Sequence, residues 1–307
     1  MTAAVELCGL SKTFKGTEAL SQIDLTVEEG TIFGFLGPNG AGKTTAIRIL
    51  TGLARPTSGH ARVFGHDVRT ESEQARSLVG FLPDVPGYYE WMTAEQFLRL
   101  AGKLYGVTGR HLDQRVDSLL ELSGLSFVST KIGGYSRGMK QRLGVAQALV
   151  GEPRLLILDE PTSALDPIGR KDVLDMIAAL RGSTTVFFST HILNDVERVC
   201  DTAAILDHGR VVRQASIAEL KSACSSTLLI LELVAGGVEL ERALGKEGWI
   251  TNVERAEQTL RCRVTDIGIA RNRIPRMVAE SDLSIVRMSA EEPTLEDVFV
   301  GLIGGAA

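Results

Sequence analysis

A glycine-rich segment near the N-terminus has the residue types and spacing of a phosphate-binding loop. Residues 37–45 read GPNGAGKTT, which matches GxxxxGK[ST] and lies between an apolar run and a helical pattern. The glycines allow successive backbone N–H groups to face an anion, and the dipole of the following helix adds positive potential. Lys43 can reach the terminal phosphates of a nucleotide, and the Thr44 hydroxyl can bind Mg²⁺. The predicted nucleotide contacts are Gly37, Pro38, Asn39, Gly40, Ala41, Gly42, Lys43, Thr44 and Thr45.

A pair of acids supplies the second half of a nucleotide site. Residues 154–160 read RLLILDE, so Asp159 and Glu160 emerge at the carboxyl end of a buried strand, where open α/β sheets bind ligands. One acid can hold a metal ion and its neighbour can orient or deprotonate an attacking water. We therefore assign Asp159 to the metal and Glu160 to the water.

The elements that must position these residues follow an alternating pattern. Between Val5 and about Glu219, short apolar runs alternate with longer helical segments, which is typical of an α/β domain with a mainly parallel sheet. The runs at 31–37, 154–160 and 184–190 are continuously apolar, as expected for strands covered on both faces.

The composition changes near residue 218, where small polar residues precede a new strand. We place a domain boundary within 219–225 and predict a nucleotide-binding domain over 1–220 and a second domain over 221–307. In the second domain we predict strands at 227–234, 249–254, 259–264 and 283–288, with helices at 238–247 and 267–280. That order, βαββαβ, is the ferredoxin-like unit.

A last helix is predicted after the ferredoxin-like unit. Thr294 is followed by Asp297 three residues later, which resembles a capping box with Asp in place of Glu. Leu295, Val298 and Phe299 then fall at helical spacing, and the terminal glycines can end the helix.

Bulk properties exclude several classes of protein. The 307 residues carry a net charge of -5, which argues against a large nucleic-acid footprint. No apolar run reaches the length of about 18 residues that a membrane helix needs, and no signal peptide is evident. The four cysteines, Cys8, Cys200, Cys224 and Cys262, lack CxxC spacing and fit reduced cytosolic thiols.

Together with YSRGMKQR (135–142) and STH (189–191), the two nucleotide motifs make residues 3–218 resemble an ATP-binding cassette (ABC) transporter ATPase. The resemblance implies a P-loop fold of ABC type over 1–220, with an antiparallel N-terminal sheet beside the parallel-rich core sheet and a helical signature subdomain at about 84–150. The resemblance implies that Phe14 stacks on adenine, that His191 contacts the γ-phosphate and that Lys43 and Glu160 are catalytic. Ser136 and Gly138 match the family's signature, usually LSGGQ. We call residues 135–139 the signature segment; Arg137 and Met139 depart from the usual form, and Arg137 either adds charge toward a phosphate or points to solvent.

Two further positions follow from the resemblance. Asp166 belongs to a SALD segment (163–166) that lies at the dimer interface in the family. Asp84, in GFLPD, stands where the family usually has a glutamine that meets the metal, the water and the membrane subunit. An acid can still bind Mg²⁺ or accept a hydrogen bond, although it lacks the amide donor.

The resemblance implies Mg²⁺-ATP bound between two ATPase subunits, most simply two copies of this chain, that drive a separate permease at the cytoplasmic face of the membrane. FLPD, YSRGMKQR and the ending PTLEDVFV resemble the daunorubicin-resistance type of exporter ATPase, which moves drugs, lipids or polysaccharides outward. The alternatives are an importer ATPase and a soluble ABC ATPase acting on DNA or ribosomes. For the second domain, the two possible roles are buttressing of the dimer and sensing of a ligand.

Overall fold

The computed structural model describes residues 3–222, 227–291 and 294–304. The chain divides into two compact units, Met1–Ile217 and Ala218–Ala307. Within the described ranges, no helix combines the length and the apolar character needed to cross a membrane.

The first unit alternates strands with helices. In chain order its elements are β1 (Ala3–Phe14), β2 (Thr17–Glu28), β3 (Ile32–Leu36), α1 (Lys43–Leu50), β4 (Ser58–Val63), β5 (His66–Asp67), α2 (Ser72–Ser77), β6 (Val79–Leu82), α3 (Ala94–Leu104), α4 (Gly109–Leu122), a 3₁₀ turn (Ile132–Gly134), α5 (Arg137–Leu149), β7 (Leu155–Asp159), α6 (Pro167–Ala178), β8 (Thr185–Thr190), α7 (Leu193–Val199), β9 (Thr202–Asp207), β10 (Arg210–Ser216) and the start of α8 (Ile217–Ser222).

A six-stranded sheet in the order β10-β9-β3-β8-β7-β6 forms the centre of this unit. All neighbours pair in parallel except β9 and β10. Every residue of β3, β7 and β8 is buried, so the predicted parallel, doubly covered strands are confirmed. Parallel strands end at the same edge of a sheet, so the segments after β3, β7 and β8 meet there.

A second, antiparallel sheet has the order β2-β1-β4-β5. Its apolar side chains share one core with those of α1 and the central sheet, including Leu7, Ile23, Phe33, Ile47 and Phe187. Helices α3, α4 and α5 pack on one another and form the helical part of the unit. Both features agree with the predicted ABC-type fold.

The second unit has its own core, formed by residues between Leu229 and Val278. Its elements are β11 (Thr227–Leu233), α9 (Val238–Leu244), β12 (Ile250–Ala256), β13 (Thr259–Val264), α10 (Ile267–Glu280), β14 (Ile285–Glu291) and α11 (Leu295–Gly304). The strand order β12-β13-β11-β14, with antiparallel pairing throughout, is the ferredoxin-like arrangement, so this prediction is confirmed.

The capping box predicted before α11 also forms. The Asp297 backbone N–H donates to Thr294 Oγ1 (3.3 Å), and the Thr294 backbone N–H donates to Asp297 Oδ2 (3.0 Å). Cys8, Cys200 and Cys262 are free thiols, whereas Cys224 lies outside the described residues.

Candidate functional site

The phosphate loop connects β3 to α1 by a path that requires glycine at two positions. Gly42, the residue before α1, has φ +111°, and a Cβ there would lie 2.6 Å from the Ala19 carbonyl oxygen. At Gly37 a Cβ would lie 2.3 Å from the Leu206 carbonyl oxygen. A side chain at either position would collide with these carbonyl oxygens and displace the loop.

Lys43 begins α1 and is buried, with 6% of its surface exposed. Its Nζ donates to the carbonyl oxygens of Gly37 (2.7 Å) and Pro38 (3.2 Å). The same Nζ lies 3.3 Å from Glu160 Oε1. The cation of the loop and the carboxylate that follows β7 are therefore within reach of one phosphate group.

Asp159 is the last residue of β7 and is almost fully buried. Its Oδ1 accepts a hydrogen bond from Ser189 Oγ at 2.6 Å and a longer one from Thr44 Oγ1 at 3.4 Å. Ser189 lies in the adjacent strand β8 and fixes the direction of the carboxylate. The two predicted metal-binding oxygens, from Thr44 and Asp159, are thus neighbours.

Glu160 and His191 follow the adjacent strands β7 and β8. Glu160 Oε2 lies 2.9 Å from His191 Nδ1, and the Glu160 backbone N–H donates to the Ser189 carbonyl oxygen at 3.1 Å. Glu160 has φ +50°, a left-handed conformation that costs energy for a residue with a side chain and that concentrates at functional sites. The Glu160 side chain is largely buried while His191 is exposed, so the pair lies at the edge of the site.

The signature segment lies at the N-terminus of α5, which is the second helix start of the candidate site. Ser136 is the N-cap of α5, and its Oγ accepts a hydrogen bond from the Met139 N–H at 3.2 Å. Ser136 and Arg137 are exposed, whereas Gly138 is buried. A Cβ on Gly138 would lie 3.3 Å from Gly169 Cα in α6, so these glycines let α5 and α6 approach closely.

Asp166 caps the neighbouring helix α6, because its Oδ1 accepts from the Gly169 N–H at 3.1 Å. Within the described part of the chain, no hydrogen bond or ion pair joins Ser136, Gly138 or Asp166 to the phosphate loop. The structure therefore brings together Lys43, Thr44, Asp159, Glu160 and His191, and it places the signature segment and Asp166 in a separate cluster at the starts of α5 and α6.

Two predicted site residues, Phe14 and Asp84, make no side-chain hydrogen bond or ion pair with either cluster in the described part of the chain. Phe14 ends β1 with 44% of its surface exposed, and the Lys12 ammonium lies over its ring, 4.7 Å from the centroid, so stacking on adenine stays a prediction. Asp84 lies two residues beyond β6 and is exposed. Its carboxylate makes no hydrogen bond or ion pair with another described residue, so its role at the metal remains a prediction.

The residues present suit Mg²⁺ held mainly by a nucleotide. Thr44 and Asp159 offer hard oxygen ligands, which Mg²⁺ prefers. In the described ranges, no three His, Cys, Asp or Glu side chains are grouped to hold a metal. Such a site fits an ion that keeps its water and phosphate ligands and takes few from the protein.

Sequence reasoning missed the polar side chains behind the site. Ser189 orients Asp159, while Thr162, Arg170 and Asp195 form a buried network. A polar residue at the carboxyl end of an apolar strand is a usable signal for Ser189. For the other three, no spacing in the sequence shows that their elements meet.

An apolar groove of about 460 Å³ lies on the helical part of the first unit, away from these charges, and is lined by Tyr88, Tyr89, Phe97, Leu100, Ala101 and Leu104, with Gly87 and Gln147. Tyr89, Leu104 and the adjacent Trp91 expose 53%, 81% and 64% of their surfaces. Exposed apolar side chains grouped in this way are typical of interaction sites. Tyr88 Oη donates to the Lys140 carbonyl oxygen at 2.6 Å, which ties the groove to the first turn of α5.

Two family models match the chain. Residues 20–163 match the family described as ABC transporter, and residues 216–303 match the C-terminal domain of the ATP-binding protein DrrA1-3-like family.

Known proteins match along nearly the whole chain. The daunorubicin/doxorubicin resistance ATP-binding protein DrrA of Streptomyces peucetius is 36% identical, covering 100% of this chain and 94% of its own. The bacitracin transport ATP-binding protein BcrA of Bacillus licheniformis is 33% identical over 99% of both chains. Among solved structures, the dimeric post-hydrolysis state of the ATP-binding cassette MJ0796 with ADP and Pi has a TM-score of 0.62 at 25% identity, covering 69% of this chain and 98% of that one.

Proposed function

Because the chain belongs to the ATP-binding subunits of ABC transporters, we propose that it pairs with a second copy around two Mg²⁺-ATP molecules and drives a separate permease that exports a drug, a lipid or another hydrophobic compound. The observation that carries the proposal is the convergence of Lys43, Glu160 and His191, with separations of 3.3 Å and 2.9 Å, beside the start of α1. Each residue then has a role in hydrolysing ATP to ADP and phosphate.

Binding is assigned to the loop and its lysine. Backbone N–H groups of the phosphate loop at the start of α1 would face the phosphates, and Lys43 adds a cation from a largely buried position, where electrostatic interactions are strong. Thr44 and Asp159 would hold Mg²⁺, which neutralises phosphate charge when bound. Ser189 keeps the Asp159 carboxylate turned toward Thr44.

Glu160 is assigned as the general base. It accepts a proton from the attacking water, and His191, 2.9 Å away, keeps the carboxylate in position and contacts the γ-phosphate. Lys43 opposes charge that develops on the phosphate. A positioned base typically contributes about 10²–10⁴-fold in rate.

The separation of the signature segment from the phosphate loop supports a dimer. The start of α5 exposes Ser136 and buries Gly138, and in the described part of the chain neither residue makes a hydrogen bond or ion pair with the phosphate loop. A helix start of this kind presents unpaired N–H groups, which suit the ATP held by a second subunit. Asp166, at the adjacent start of α6, would lie at the same interface.

The apolar groove is the proposed docking surface for the permease. Its lining begins at Gly87, shortly after Asp84 in the chain, and Tyr88 bonds it to α5. A permease helix that packs into the groove would therefore act on the signature segment. Closure of the dimer around ATP would thus move the permease, and hydrolysis of ATP would reopen the dimer. The protein would lie on the cytoplasmic face of the membrane through this contact alone.

Export is supported by the relatives that are named for drug resistance and for bacitracin transport. The gene next to this one distinguishes the directions. A small membrane permease is expected for an exporter, whereas a solute-binding lipoprotein would indicate an importer.

The general-base assignment is tested with Glu160→Gln in the full-length protein. We expect normal ATP binding, turnover lowered by about 10²–10⁴-fold, and a dimer that accumulates with ATP in size-exclusion chromatography. Glu73→Gln, an exposed change on α2, is the matched control and should behave as the wild type. Near-normal turnover of Glu160→Gln would rule out the assignment.

A further inference from the structure

A buried hydrogen-bond network lies behind the loop that follows β7. Thr162 Oγ1 donates to Asp195 Oδ2 at 2.5 Å, and Arg170 Nε donates to Asp195 Oδ1 at 2.6 Å. Thr162 and Asp195 are each 1% exposed. A carboxylate is tolerated in the interior only when its oxygens are paired. Here the two oxygens bind groups from two different elements, the loop and α6.

Thr162 lies in a loop with unusual backbone conformations on both sides of it. Glu160 has φ +50° and Ala164 has φ +53°. The Ser163 N–H donates to the Glu160 carbonyl oxygen (3.1 Å), and the Leu165 N–H to that of Thr162 (3.3 Å). Left-handed residues with side chains persist only where their surroundings hold them. The Thr162–Asp195 bond anchors the loop between its two strained residues.

Asp195 lies in α7, four residues beyond His191. The Asp195 carboxylate, which anchors the Glu160 loop, therefore lies on α7, the helix that follows His191. On the other side, Arg170 lies in the first turn of α6, next to Gly169, which contacts Gly138 of the signature segment. One buried side chain thus connects the Glu160 loop, the His191 helix and the start of α6.

We propose that Asp195 is a positioning residue for hydrolysis: through Thr162 it fixes the loop that directs Glu160 at the water, and through Arg170 it connects that loop to the helix packed on the signature segment. This inference rests on the proposed role of Glu160. Neither Asp195 nor Thr162 contacts the nucleotide in the proposed site. Their loss should therefore lower turnover and leave nucleotide affinity unchanged.

A purely structural network would lower stability and change binding and turnover together. The test therefore compares Thr162→Val, which removes the hydroxyl at nearly constant shape, with Thr162→Ser, which retains it. We expect Thr162→Val to lower kcat by about 10- to 100-fold, as expected for a misplaced catalytic group, with unchanged KM and unchanged affinity for a fluorescent ATP analogue. Thr162→Ser should stay within about threefold of wild-type kcat.

Asp195→Asn is the second variant, because an amide cannot accept both donors. It should reproduce the kcat loss at unchanged KM, with activities measured well below each variant's unfolding temperature. Asp175→Asn is the control: it removes an exposed carboxylate of α6 that pairs with Lys171 and Arg198, and it should keep wild-type kcat. A wild-type kcat in Thr162→Val, or equal losses in Thr162→Val and Thr162→Ser, would overturn the proposal.

A Glu160→Gln background separates this inference from the general-base assignment. In single-turnover measurements with labelled ATP, adding Thr162→Val should lower the residual rate by less than about twofold, because the group that Thr162 positions is already lost. A further tenfold drop would contradict the inference. If Glu160→Gln alone retains near-normal turnover, the general-base assignment fails; if it is slow while Thr162→Val is normal, only the role of Asp195 fails.

Discussion

At the scale of single residues, Lys43 connects binding with chemistry, because its Nζ holds two loop carbonyl oxygens and also faces Glu160. An ammonium group with only 6% exposure is poorly screened by water, so its interaction with an anion is strong. Removal of the Lys43 ammonium group therefore affects both the phosphate loop and the Glu160 carboxylate.

Lys43→Ala is therefore expected to weaken nucleotide binding itself. The loss of a charge-assisted hydrogen bond, worth about 1.5–3 kcal/mol, corresponds to about a 10- to 100-fold rise in Kd. Titration with a fluorescent ATP analogue measures this Kd. Lys171→Ala, which removes an exposed lysine that pairs with Asp175, is the control. An unchanged Kd in Lys43→Ala would contradict the assigned role.

The site could be predicted only as far as its motifs extend along the chain. Lys43, Thr44, Asp159 and Glu160 fall within two short segments whose spacing encodes their chemistry. Thr162 and Asp195 are different, because each is an ordinary loop or helix residue in the sequence and acquires a role only when α7 packs beside the loop. Such contacts depend on tertiary packing, which no local pattern records.

At the scale of elements, the βαββαβ order of the second unit was predictable because short segments containing apolar and β-branched residues, such as TLLILEL in β11, are separated by longer segments with apolar residues at helical spacing, such as Ala270, Ile274 and Val278 in α10. The observed ends differ by a few residues: the helix predicted over 238–247 is Val238–Leu244, and the strand predicted over 283–288 is Ile285–Glu291. Ends are set by caps and turns that several residues can provide. Thr294 and Asp297 are the exception, since a capping box needs specific side chains.

The cap of α11 should make the second unit sensitive to acid. Burial alone would raise the pKa of Asp297, but hydrogen bonds from the Thr294 N–H, Arg263 and the Thr294 hydroxyl outweigh burial and hold that pKa below its ordinary value of 3.8. A lowered pKa in the folded state means that Asp297 stabilises above pH 3.8 and that this stability is lost as the pH falls further.

Asp297→Asn should therefore lower the free energy of unfolding at pH 7 by about 1 kcal/mol, the usual value of a helix cap, and the difference from the wild type should shrink below about pH 4. In a Trp91→Phe background, Trp249 is the single remaining tryptophan of the chain. Its fluorescence during urea unfolding reports on the second unit. Glu296→Gln, an exposed neighbour, is the control, and a difference that stays constant from pH 7 to 3 would contradict the prediction.

At the scale of the whole molecule, the two units have separate hydrophobic cores, one between Val5 and Val211 and one between Leu229 and Met288. The first unit contains every residue assigned here to ATP, and the second contains none of them. Its proposed role is to buttress the dimer, with ligand sensing as the alternative.

Deletion of residues 222–307 distinguishes these roles. Because the core of the first unit remains whole, its circular dichroism and ATP affinity should be retained. If the second unit buttresses the dimer, removal should weaken ATP-dependent dimerisation by about tenfold, equivalent to roughly 1.4 kcal/mol of interface energy. Sedimentation in the Glu160→Gln background measures the strength of ATP-dependent dimerisation. Unchanged self-association and ATPase activity would count against both roles.

The cap on α5 has a consequence for the free energy with which the signature segment can bind ATP. Ser136 Oγ accepts a hydrogen bond from the Met139 N–H, which occupies a lone pair and leaves the hydroxyl proton available to donate. The side chain is therefore already confined to one rotamer before a phosphate oxygen arrives. A ligand that accepts this proton gains a hydrogen bond without the entropy loss of freezing a free rotor.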